Sequence, residues 1–76
     1  MIISDVVRMA LKKGQKKQVE LVQLLGMSSP AAVGNKFAKD SWFANDLAKV
    51  AAFTGGKLVI RYQDGTEIAV LPEDAE

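Results

Sequence analysis

The apolar periodicity of this chain changes once, at Gly55-Gly56, and that change limits the fold more than any other feature. Before it, apolar residues recur at helical spacing, and after it they sit in β-branched runs. Ile3, Val6, Val7, Ala10 and Leu11 predict a helix over about 2–13, with Ser4 or Asp5 to cap its start and Gly14 as its end. Val19, Leu21, Val22, Leu24 and Leu25 predict a second helix over 17–25, stopped at Gly26. Ser29 as cap and Pro30 at the first position start a third over 30–39, with Val33 and Phe37 inward. Phe43, Leu47, Val50 and Ala51 mark a fourth over 42–54.

Two runs, Lys57 to Tyr62 and Thr66 to Leu71, then flank Gln63-Asp64-Gly65, a strong hairpin signal over 57–71. With Asp64-Gly65 as a two-residue loop, Gln63 pairs with Thr66 and Leu58 with Leu71. One face then carries Leu58, Ile60, Tyr62, Ala69 and Leu71, and the other Val59, Arg61, Ile68 and Val70. The expected architecture is one mainly α domain over 1–71, four helices and a C-terminal β-hairpin, followed by an acidic tail at 72–76.

A chain of 76 residues buries only somewhat more than ~60% of the surface its unfolded form exposes, so a lone copy has little stability to spare. Cysteine is absent, which excludes disulfides, thiolate metal sites and a cysteine nucleophile. Histidine is absent too, which removes the commonest general base and metal ligand. The carboxylates are scattered, and no phosphate-cradling glycine loop or nucleophile–base pair can be assembled. The expectation is a non-enzyme with no catalytic residue, metal, cofactor or evident small-molecule site. No run approaches the ~18 apolar residues of a membrane span, and the first residues carry no signal-peptide pattern. A cytoplasmic protein without a membrane partner is expected.

Charge is divided along the chain. Residues 1–40 hold seven cations against three anions, a net +4, whereas residues 41–76 hold three against six, a net −3. A basic half joined to an acidic half suggests one surface facing a polyanion and another facing away. Ordinary solvated lysine is the plain alternative. The stretch from Gln18 to Phe37 decides between them. A helix ends at Leu25-Gly26, a short turn follows, and a capped helix begins, its inner anchors being Val33 and Phe37. The glycine permits a sharp turn, so the second helix is held outward with one side free. Ala31, Asn35 and Lys39 fall near that side, flanked by Ala32 and Lys36. Small side chains permit close approach to base edges and thymine methyl groups. Asn35 can pair bidentately with adenine, and Lys36 and Lys39 suit phosphates.

Gln18-Val19-Glu20-Leu21-Val22 through Leu25-Gly26-Met27-Ser28, then Val33-Gly34-Asn35-Lys36-Phe37, resembles the phage-repressor and Cro-like helix-turn-helix regulators, the XRE class. Asp46-Leu47, Lys49-Val50-Ala51 and Thr54-Gly55 before a short hairpin are similar to small bacterial and mobile-element members, so the resemblance spans roughly residues 2–70. It implies a four-helix lambda-repressor-like fold. It also implies that Gln18 contacts a phosphate and that Ser29, Pro30, Ala31 and Asn35 face the major groove. Three departures are visible. Val22 stands where the family prefers a small residue, the turn carrying Ser28 is one residue longer, and Pro30 with two alanines replaces long polar readers. Base readout is thus expected to be sparse, with weight on shape and methyl contacts.

Lys12, Lys13, Lys16 and Lys17 place four cations within six residues at the entrance to the second helix, where a duplex backbone would pass. Trp42 and Phe43 suggest a stacking platform, but Trp42 just ahead of a helix is better read as an inward staple. The expected DNA-contacting set is Lys17, Gln18, Ser28, Ser29, Pro30, Ala31, Ala32, Asn35, Lys36 and Lys39. The second hairpin face, Val59, Arg61, Ile68 and Val70, is the expected dimer interface. Together these describe a sequence-specific double-stranded DNA-binding regulator, a homodimeric repressor on a palindromic operator. The rival is a protein-interaction module, antitoxin-like or an antirepressor component, with the same fold.

Overall fold

The computed structural model describes residues 2–73. Helices α1 (Ile3–Gly14), α2 (Glu20–Leu24), α3 (Pro30–Lys39) and α4 (Ala44–Phe53) precede strands β1 (Leu58–Arg61) and β2 (Glu67–Val70), which pair antiparallel. The domain is mainly helical with a C-terminal two-stranded hairpin, and no described helix is long and apolar enough to cross a membrane.

Helix α1 buries Ser4, Val7 and Leu11 on one stripe. Its first turn has no side-chain cap of its own. Asp40, at the end of α3, supplies one: its Oδ1 accepts the Ser4 N–H at 2.6 Å. Gly14 is the last helical residue rather than the terminator, and Gln15 takes the left-handed cap with φ 57°. Gly14 is needed for another reason. A Cβ there would lie 2.8 Å from the Thr54 Cα, so its absence lets α1 and the end of α4 meet backbone to backbone.

Helix α2 is shorter than its apolar pattern suggests. Residues 17–19 form a tight turn in which the N–H groups of Glu20, Leu21 and Val22 bond to carbonyls three residues back. Val19 is exposed outside the core, while Leu21 is fully buried. Gly26 adopts φ +66°, and Met27 N–H bonds back to the Val22 carbonyl, closing the helix. Helix α3 begins as its sequence requires, with Ser29 Oγ accepting the Ala32 N–H at 3.3 Å and Pro30 in the first position.

Helix α4 starts at Ala44, two residues later than its pattern suggests, with Phe43 as cap residue. Asp46 Oδ2 accepts the Phe43 N–H at 3.0 Å and fixes that start. Phe43 is therefore not on the inner stripe. It points outward and is 74% exposed.

Val7, Leu11, Leu21, Val33, Phe37 and Val50 form the core, with Leu24, Leu25, Trp42 and Leu47 packed around it. Each fully buried aliphatic side chain contributes about 1.5–3 kcal/mol. Trp42 packs inward as a staple should, its ring edge-on to Phe37 at 4.9 Å, and its Nε1–H donates to Ser4 Oγ at 3.0 Å.

The hairpin register is one residue away from the expected one. Leu58 opposes Val70, Val59 opposes Ala69, Ile60 opposes Ile68 and Arg61 opposes Glu67. The loop has three residues, Gln63, Asp64 and Gly65, closed by the Tyr62 N–H to the Thr66 carbonyl at 2.8 Å. Gly65 sits at φ +91°, the left-handed residue that a three-residue loop requires. Asp64 Oδ1 holds the turn by accepting the Thr66 N–H at 2.9 Å, which also keeps its carboxyl below the usual range. One slip exchanges faces along β2. Leu58, Ile60, Tyr62, Ile68 and Val70 now share one face, and Val59, Arg61, Glu67 and Ala69 the other. Of the expected acidic tail, Glu73 donates its N–H to Asn45 Oδ1 at 2.8 Å, and residues 74–76 lie outside the described part.

Candidate nucleic-acid interface

The outer side of α3 is set by its inner one. Val33 and Phe37 are buried, so Ala31, Asn35, Ala38 and Lys39 are left exposed. The face is uncharged and short-chained at its N-terminal end and cationic at its C-terminal end. Asn35 stands one turn before Lys39, and its amide makes no hydrogen bond within the described residues. Both its donor and its acceptor are thus open to a planar polar partner.

Pro30 and Ser28 are exposed beside this face, and Ala32 flanks it half-buried. Ser29 is placed differently from a reader. Its hydroxyl already accepts a backbone N–H, so its part is to start the helix. Gln18 and Lys17 are exposed at the entrance to α2, and Gln18 and Val19 line a small cleft with Pro30 and Val33 of α3. That cleft joins the two elements that the sequence grouped. Glu20 fixes this entrance, its Oε2 accepting the Lys17 backbone N–H at 3.3 Å.

Lys36 does not belong to the exposed face. Its Nζ lies 2.7 Å from Asp46 Oδ2 and 3.2 Å from the Ser41 carbonyl oxygen, with the two charged side chains only 12% and 14% exposed. The ammonium also stands over the rings of Trp42 and Phe43, at 5.7 and 5.1 Å. It clamps α3 to the start of α4, and a phosphate would have to break that clamp. Nothing in the local spacing signals this, since Asp46 is ten residues away.

The lysine cluster ahead of α2 is likewise divided. Lys16 reaches over the Phe53 ring at 4.7 Å, and Lys13 lines a groove against α4 and β1. Lys17 and Lys39 are exposed, at the entrance to α2 and at the end of α3. Phe43, which apolar patterning assigned to the core, is exposed and lies under the Lys36 ammonium.

Asp40 has a carboxyl held below its usual range, first by the Ser4 hydroxyl and then by the Ser4 N–H. It acts on the fold, not on the outer face. Among the described residues no group of three or more potential metal ligands comes together. The expected interface set Val59, Arg61, Ile68 and Val70 is split between two faces by the observed register, so it does not form one surface.

No family model matches this chain, and comparisons with curated proteins and with solved structures return no match.

Proposed function

We infer that the protein is a sequence-specific double-stranded DNA-binding regulator of the phage-repressor and Cro-like class, working as a homodimer, with α3 as its reading helix. The single observation behind this reading is the outer face of α3: Ala31, Asn35, Ala38 and Lys39, held outward by Val33 and Phe37. An α-helix fits the major groove, and a short-chained face lets its backbone approach the base edges. Asn35 is the direct reader, its amide matched to adenine. The alanines and Pro30 meet thymine methyl groups, and Lys17 and Lys39 meet phosphates on either side. Two copies related by a two-fold axis set their α3 helices about one helical turn, roughly 34 Å, apart. With so few polar readers, sequence-dependent shape carries part of the selectivity.

The test is selection of bound fragments from a random duplex library. A two-fold-symmetric motif with half-sites one turn apart is the expected outcome. A chain that enriches no motif and retains no duplex at low salt belongs to the protein-interaction class instead.

A further inference from the structure

The observed register concentrates the apolar surface of the hairpin. Leu58, Ile60, Tyr62, Ile68 and Val70 share a face, while the ion pair of Arg61 and Glu67, 2.7 Å apart, marks the opposite one. Only the base of the apolar face is covered by helices. Toward the tip, Ile60, Ile68 and Tyr62 remain about half exposed. At its base the same face joins a groove of about 450 Å³ lined by Ile3, Val6 and Ala10 of α1, Leu47 and Ala51 of α4, and Leu58. Ile3 and Val6 are themselves substantially exposed there. An exposed apolar strip and an apolar groove thus sit side by side on one molecule.

We propose that the groove between α1 and α4 is the seat for the hairpin of a second copy, with Ile60, Tyr62 and Ile68 of each protomer entering the groove of the other. Two observations select this occupant. First, strip and groove are of matching character and adjacent, which is what a two-fold isologous contact needs, each patch meeting its counterpart twice. Second, the charges match. Lys13 and Lys57 line the groove, whereas the exposed hairpin tip carries Asp64.

This deepens the homodimer of the proposed function by naming its contact. It differs from hairpins paired edge to edge, because α1 and α4 form half of the interface. Val6 and Ile60 contribute nothing to the outer face of α3, so loss of the dimer and loss of a DNA-reading surface are separable.

The test is sedimentation in the absence of DNA, with Val6→Glu as the groove variant and Ile60→Glu as the hairpin variant. Circular dichroism confirms that each keeps the parent's helix content. The parent is expected to sediment at twice 8.2 kDa and each variant at 8.2 kDa. An equimolar mixture of the two is expected to regain part of the dimer, since one of its two contacts then joins an intact hairpin to an intact groove. A parent that stays monomeric at the highest soluble concentration overturns the proposal and leaves the groove to another partner. A Val6→Glu protein that dimerises like the parent, while Ile60→Glu does not, also overturns it, and means that hairpins pair with each other. A second measurement avoids core changes altogether. The chain has no cysteine, so Lys13→Cys and Gln63→Cys proteins, both altered at exposed positions, can be mixed and oxidised. A cross-linked heterodimer band exceeding either protein's self-linked band is expected, and its absence counts against the proposal.

Discussion

Asp40 caps a helix that it does not belong to. Its Oδ1 accepts both the N–H and the hydroxyl of Ser4, at 2.6 and 2.8 Å, across 36 positions of sequence. The carboxylate thus sits at the positive end of α1 while the same residue, at φ 52°, ends α3. Ser4 is wholly buried and ties three elements together, because its Oγ also accepts the Trp42 indole N–H and lies 3.0 Å from the Phe37 carbonyl oxygen.

An acid-sensitive stability follows from that contact. Hydrogen bonds from Ser4 lower the Asp40 carboxyl below its ordinary 3.8, so the folded state favours the ionised form. For a lowered carboxyl the stabilisation is fully present above the unfolded value and disappears as pH falls through the folded one. Thermal melts between pH 7 and pH 2 are expected to show a loss beginning near pH 4, and Asp40→Asn is expected to remove the part due to this group while lowering stability at neutral pH. Ser4→Ala leaves the Trp42 N–H without its acceptor and is expected to cost about 1–3 kcal/mol at neutral pH and less in acid, because it also removes the hydroxyl that lowers the Asp40 carboxyl.

The adjacent residues Gly14 and Gln15 are expected to respond in opposite senses to exchanges between glycine and a side chain. Gly14→Ala improves helix propensity but drives a Cβ into the Thr54 backbone, and overpacking of that kind costs about 1–3 kcal/mol. Gln15→Gly relieves a left-handed conformation and is expected to stabilise by about 0.5–1 kcal/mol. Chemical denaturation of both variants checks the pair. Stabilisation by Gly14→Ala would mean that α1 and α4 do not approach as closely as described.

Much of this arrangement is legible in the sequence, and the rest fails for identifiable reasons. Helix α3 is readable to the residue because its signals are local: Ser29 and Pro30 fix its start, and Val33 and Phe37 its inner side. The inward packing of Trp42 is readable from its place ahead of a helix. The hairpin is readable as an element but not in register. Gln63-Asp64-Gly65 serves two loop lengths, and aliphatic residues on both faces do not penalise the slip. Lys36 is misread because a lysine on a helix looks the same whether it faces a phosphate or Asp46. Phe43 is misread because its spacing fits the apolar stripe, although Asp46 starts the helix one residue after it. The trans cap from Asp40 to Ser4 leaves no local trace at all.

Lys36 and Lys17 separate a structural cation from a binding one. Lys36→Ala removes the partner of a mostly buried Asp46 and is expected to destabilise the fold by about 1–3 kcal/mol, while leaving the salt dependence of DNA binding unchanged. Lys17→Ala is expected to do the reverse. With Lys17 and Lys39 of each protomer on phosphates, four contacts give a slope of log affinity against log salt of about −3.6, and Lys17→Ala flattens it by about 1.8. Titrations at several salt concentrations decide this. A slope that Lys36→Ala flattens and Lys17→Ala leaves alone would reverse the two assignments.

The most direct measurement is a comparison of base preference between the parent and Asn35→Ala on the duplex that the parent selects. Asn35 is exposed, so the substitution leaves the core intact and the melting temperature close to the parent's. With α3 as the reading helix, Asn35→Ala loses about 1–3 kcal/mol of discrimination at one adenine in each half-site and leaves the other positions ranked as before. Unaltered preference at every position, in a variant that still binds, would contradict the placing of α3 in the groove.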